Sequence, residues 1–180
     1  MSKVITFSRY FPSYHSKKGE HTFFVEKILN GIKPKQENGL VDIHLLPEPV
    51  QEIINDFQML CEPTDIKYHT IRSGKRWKVG DKFSPRVWSG KPYASKQITI
   101  ADDIEVKKIW NFEMKPALWF DECEYFIDGV LCNGNILEVA KNDGLDIIDF
   151  AVWFEGKKAA SSKRKPFFGQ IICWNENINY

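Results

Sequence analysis

Lys67-Tyr-His-Thr70-Ile-Arg72, followed by Ser-Gly-Lys-Arg-Trp-Lys-Val-Gly-Asp81-Lys-Phe and Val87-Trp88, is the stretch on which the reading of this chain turns. A short run alternates polar and apolar residues, a basic turn carries one tryptophan, and Gly80-Asp81 leads into a second extended run. Thr70 and Arg72 are two residues apart, so on a strand they share a face. Lys67 is an odd number of positions away and joins them only from before the strand or across a bulge. A cation, a hydroxyl and a guanidinium held this close can bind an anion or a base edge, or activate a nucleophile.

The chain has 180 residues, 43% hydrophobic and 14% aromatic, which suits one domain with a real core, numbered 1–180 and interrupted by an insertion at 34–65. No apolar run approaches the roughly 20 residues that span a bilayer. The first residues lack a long apolar segment, so the expectation is no secretory signal, no membrane and a cytoplasmic location. Cys61, Cys123, Cys132 and Cys173 are scattered without a C-x-x-C pair, as suits buried reduced thiols better than structural zinc. His15, His21, His44 and His69 lack metal-ligand spacing, and no dinucleotide or phosphate-loop motif occurs, so neither metal nor cofactor is expected.

The net charge of +1 conceals an uneven distribution. Residues 67–108 carry 11 Lys/Arg against 4 Asp/Glu, and residues 113–155 carry 2 against 10. Five more basic residues fall between Lys157 and Lys165. Such blocks form either a phosphate-binding face or solvated strands and loops.

Strands are expected at 4–7, 67–72, 82–88, 97–101, 105–113, 125–128, 129–132 and 167–174, with a further one at 40–46. Helical spacing of Phe24, Val25, Ile28 and Leu29 predicts a helix capped by Thr22 and ended by Asn30-Gly31. Val50, Ile53, Ile54, Phe57 and Leu60 mark another after Pro47 and Pro49. Late helices are expected at 135–142 and 146–154, the last with Asp146 and Asp149 in a capping arrangement. This pattern predicts an α+β protein built on a twisted barrel with flanking short helices.

The order Ile5-Thr-Phe, Glu26-Lys-Ile-Leu-Asn-Gly31, Lys67-Tyr-His-Thr70-Ile-Arg72 and Gly80-Asp81 resembles the ASCH (activating signal cointegrator homology) domain, a relative of the PUA RNA-binding fold. Asn142-Asp143-Gly144-Leu145 and the Phe167-to-Trp174 strand follow the same order, with apparent insertions at about 12–21 and 34–65. The resemblance implies a PUA-like β-barrel whose cleft takes RNA, a nucleoside or a modified base. One bacterial branch removes acyl groups from N4-acylated cytidine with a Lys, a Thr three residues later and a Glu before the late helix. Lys67 and Thr70 match in type and spacing, and the acid falls on Asp143, one methylene shorter.

Three readings follow. In the first, a basic cleft binds RNA or a modified nucleobase through Arg72, Trp77, Lys78, Tyr93, Lys96 and Arg9, with aromatics stacking bases among cations. In the second, Thr70 is a nucleophile, Lys67 its base and Asp143 an acid in an amidohydrolase. In the third, the cleft is vestigial and an exposed apolar face of the 50–60 helix docks a protein. Each residue also has a plainer role: Asp143 as part of an Asn-Asp-Gly turn, Thr70 as a β-branched strand residue, Lys67 as a solvated lead-in, Trp77 as a turn residue folded onto the core, and Arg72 as the partner of a structural carboxylate.

Overall fold

The computed structural model describes residues 2–32, 41–55, 66–117, 122–132, 134–155 and 165–180. The chain runs β1 (Lys3–Thr6), α1 (Phe24–Ile32), a 3-10 turn (Ile43–Leu45), α2 (Glu48–Asn55), β2 (His69–Ser73), β3 (Lys82–Trp88) and β4 (Gln97–Thr99). It continues through β5 (Ile104–Glu105), β6 (Lys108–Lys115), β7 (Glu124–Ile127), β8 (Val130–Leu131), α3 (Ile136–Asn142), α4 (Ile147–Glu155) and β9 (Phe167–Cys173). Among the described residues no helix is long and apolar enough to cross a membrane.

The strands form two sheets. In the first, β3 pairs in parallel with β1 and antiparallel with β4 and β5. The second is antiparallel throughout, in the order β2-β9-β6-β7-β8. The expected α+β composition is present, but the PUA-like twisted barrel is not: among the described residues no strand of one sheet pairs with a strand of the other. The physical reason lies at the two edge strands that closure would join. The carbonyl of Thr6 on β1 accepts a hydrogen bond of 2.7 Å from Arg72 Nη2 on β2, so a side chain stands where a backbone ladder would close the barrel.

Large aromatics fill the seam between the sheets. Trp174 lies 5.7 Å from Phe83 and 6.3 Å from Phe7, and Trp77 lies 5.9 Å from Phe83, measured between ring centroids. The helices cover the sheets with the apolar faces their spacing predicts. Phe24, Val25, Ile28 and Leu29 of α1 are buried, and Thr22 Oγ1 accepts from the Phe24 N–H. At the start of α4, Asp146 Oδ1 accepts from the Asp149 N–H, the expected capping arrangement. On the second sheet, Phe112 gathers the rings of Tyr125, Phe150, Phe154 and Phe167 around it.

Three expectations need correction. The single strand at 105–113 is two, β5 and β6, because Val106 leaves one ladder to pair its backbone with Gly80 and Asp81. Val41 to Leu46 holds a 3-10 turn closed by the Asp42 side chain, which accepts from the His44 N–H. Within the described residues the apolar face of α2 is not exposed: Val50, Ile53 and Ile54 are all in the core, contrary to the docking face of the third reading. Leu40, Phe57, Leu60 and residues 157–164 lie outside the described residues.

The 12–21 segment docks onto α4 rather than hanging free. His15 is buried with its ring 4.4 Å from that of Phe11, Tyr14 Oη donates to the Trp153 carbonyl, and Lys17 Nζ reaches Asp149 at 2.6 Å. Between β2 and β9, Gly169 faces the Arg72 backbone so closely that an added Cβ would sit 2.4 Å from its carbonyl oxygen. The neighbouring atom is backbone and cannot rotate away. Gly169→Ala should therefore force the two strands apart and lower stability by about 1–3 kcal/mol, read as a fall in the urea midpoint; an unchanged midpoint would contradict this packing.

Candidate functional site

The lead-in to β2 is held from two sides. Lys67 N–H donates to the Lys27 carbonyl of α1 at 3.0 Å, and Tyr68 N–H donates to the Asn142 carbonyl of α3 at 2.8 Å. Lys27 Nζ in turn reaches the Gly144 carbonyl at 2.8 Å. Lys67 therefore sits before the strand, one of the two placements its parity allows.

Its ammonium is fully enclosed. Nζ lies 2.7 Å from Asp143 Oδ1, also donates to the Asp143 carbonyl, and stands 4.2 Å from the centre of the Phe24 ring. Gly144, at φ +79°, follows Asp143 past the end of α3, and a Cβ there would crowd the Lys67 and Lys27 side chains. Two readings of Asp143 thus hold at once: it ends α3 in an Asn-Asp-Gly turn and presents a carboxylate to Lys67. Burial lowers the Lys67 pKa to about 8 even though Asp143 pulls it upward. Lys67, His69 and their neighbours hold the Asp143 carboxyl below its ordinary range, against its own burial.

His69 belongs to this cluster, although strand alternation placed it opposite Thr70. Its Nδ1 lies 3.6 Å from Asp143 Oδ1, and the Tyr180 ring meets it edge-on at 5.7 Å. Burial pushes the imidazole pKa down, against the upward pull of Asp143. The missed signal was parity: residues 67 and 69 share it. Thr70 is buried opposite Ile172, and no hydrogen bond among the described residues joins it to Lys67 or Asp143.

Arg72 projects toward a cavity of about 330 Å³ between β1 and the turn after β3. Its lining includes Thr6, Phe7, Ser8, Arg76, Trp88 and Tyr93, with two guanidiniums and no carboxylate. Arg72 Nη2 bonds Thr6, its guanidinium stacks 5.6 Å from the Phe7 ring centre, and its Nε is buried without a hydrogen-bond partner. Burial lowers its pKa, and Arg76 adds to that by repulsion.

The other expected binding residues are dispersed. Trp77 lines the same cavity but is only 4% exposed, with Lys3 Nζ above its ring at 4.9 Å. Its backbone is held by the Gln170 amide on β9, which missed notice in the sequence. Lys78 is exposed on a turn whose backbone is tied to Asp81. Lys96 lines a different cavity, about 950 Å³, between β4 and the prolines before and in α2. Arg9 lies over Tyr10 and reaches the Ser89 carbonyl at 3.4 Å.

This placement overturns the functional expectations tied to the barrel. Without barrel closure there is no PUA-like cleft, and the cations expected along an RNA track are spread over separate surfaces. For the hydrolase, the Lys67 ammonium is committed to Asp143 rather than to the Thr70 hydroxyl. Neither cavity above is lined by Lys67, Thr70 or Asp143. Among the described residues no group of three or more His, Cys, Asp or Glu is gathered as a metal would require.

No family model, curated protein or solved structure matches this chain, so the resemblance to the ASCH domain rests on the order of its motifs alone.

Removing one partner of the buried pair strands the other. Asp143→Asn should cost about 3–5 kcal/mol in urea unfolding, and Lys67→Met combined with Asp143→Leu should recover a large part of it. The pH dependence has a defined sign. The folded pKa of Lys67, about 8, lies below its ordinary 10.5, so between those values the unfolded chain binds more protons. Stability relative to Lys67→Met should then rise from pH 8 to 10; a flat or falling difference would contradict the burial.

Proposed function

We propose that this protein binds a small anion in the cavity between β1 and the 89–96 turn. The observation that carries the reading is the lining: two guanidiniums border a recess that holds no carboxylate. A half-buried cation with no carboxylate in its recess is costly, and an incoming carboxylate or phosphate lowers that cost. The recess admits a small molecule and lies at the lower end of the size range of ligand pockets, roughly 300–1,000 Å³. A neutral nucleoside lacks the charge this chemistry asks for, so of the nucleoside partners expected from the sequence only a phosphorylated one suits it.

The test is thermal unfolding at constant ionic strength with inorganic phosphate, acetate or added chloride. Phosphate should raise the midpoint, with a stabilisation of about 1.4 kcal/mol at ten times its Kd. Arg76→Gln, an exposed change that leaves the fold intact, should weaken the effect several-fold, and Arg72→Met should remove it. An equal response to phosphate and chloride, or a response that survives both substitutions, would sink the proposal.

A further inference from the structure

Resting on that anion reading, we infer that the ligand carries a flat ring beside its anionic group, and that Trp88 and Tyr93 hold the ring. Tyr93 is 91% exposed, the most exposed large hydrophobic side chain among the described residues, yet its backbone stands at φ +63°. A bulky residue in the left-handed region is strained, and an aromatic ring in water adds nothing to the core. The one ring contact of Tyr93 among the described aromatic pairs is with Trp88, and most of its surface stays in water.

The turn that carries Tyr93 is built to keep it there. Ser89 N–H donates to the Lys96 carbonyl at 2.9 Å, Gly90 N–H to Ser95 Oγ at 2.9 Å, and Ser95 Oγ to the Lys91 carbonyl at 3.0 Å. The Tyr93 ring tilts against that of half-buried Trp88, with centroids 5.3 Å apart and planes at 51°. Both rings and Pro92 border the cavity that Arg72 and Arg76 also line. Aromatic wall and cationic floor therefore belong to one recess.

A ring laid against this wall would cover the exposed face of Tyr93 while its anionic group meets the guanidiniums. The volume of about 330 Å³ limits the occupant to one ring system with one such group. The ligand class is an aryl or heteroaryl phosphate or carboxylate; a nucleoside monophosphate and a simple aromatic phosphate share this chemistry.

Calorimetry with four probes separates the parts: inorganic phosphate, propyl phosphate, phenyl phosphate and uridine 5′-monophosphate. Phenyl phosphate should bind about ten-fold more tightly than propyl phosphate, which has the same charge and no ring. Tyr93→Gly removes the ring at a backbone angle glycine favours, so it should raise the thermal midpoint while erasing that ten-fold advantage. Inorganic phosphate should lose far less affinity on this variant than phenyl phosphate does; an equal loss for both overturns the ring inference. Equal binding of phenyl and propyl phosphate overturns the ring inference and leaves the anion reading standing. Binding of none of the four overturns both. If the advantage is seen, uridine 5′-monophosphate binding above phenyl phosphate identifies the nucleotide arm, and binding below it the simpler aromatic acid.

Discussion

The burial of one ammonium group is the constraint on which the rest of this structure depends. Lys67 is 1% exposed, and an unpaired cation at that depth would be expelled or neutralised. It is retained because two distant segments converge on the lead-in to β2 that carries it: Phe24 and Lys27 of α1, and the Asp143-Gly144 turn after α3. The convergence is tight at two points. A Cβ on Gly31 would stand 3.2 Å from the Lys67 carbonyl, and one on Gly144 would stand 3.3 Å from the Lys27 stem. Buried pairs of this kind are poor sources of net stability but severe when half broken. Their effect here is to fix where β2 begins, and so which residues of β2 face which way.

With the start of β2 fixed, Arg72 follows as a second, half-buried cation. Asp143 is the carboxylate that both cations feel, and it is in direct contact with Lys67. Burial disfavours the charged form of His69. Arg72 is left with a neutral carbonyl and the face of Phe7, which together solvate a guanidinium without neutralising it. The same residue that keeps β1 and β2 from pairing thus leaves charge at the edge of a recess. Architecture and candidate ligand chemistry share one cause.

Much of the architecture was legible. The strand at Lys82–Trp88 has the bounds its alternation indicates, and the helical spacing of Phe24, Val25, Ile28 and Leu29 names the buried face of α1. Local period and capping chemistry determine such elements, so a single sequence carries them. Barrel closure was not legible, because whether two edge strands pair depends on a contact between residues 6 and 72 that no local pattern encodes. The same holds for the docking of His15 and Tyr14 onto α4, which a polar composition disguises as a loose insertion. Lys67 and Asp143 were picked out as a chemical pair, and they do meet. The third member differs: the spacing of the resembled family pointed to Thr70, whereas the side chain beside Asp143 and Lys67 is His69, from the other face of the strand.

The absence of closure also limits what can occupy the molecule. A closed barrel with an open cleft offers a long track, but here the inter-sheet seam is filled by Trp77, Phe83 and Trp174. The cavity beside β1 remains at the margin of that seam, where the 89–96 turn diverges from the first sheet. It presents one half-buried guanidinium and one exposed one, a combination with distinct physical roles. Arg76 stands in water, where its field is screened within about 8–10 Å at ordinary ionic strength. Arg72, half-buried against the Thr6 carbonyl of β1 and the Phe7 ring, is screened less by salt. Selection by such a site proceeds first on the presence of an anionic group, which the interior of the protein does not supply. It then proceeds on what that group carries, through the aromatic rim, which a strained turn holds beside the charge.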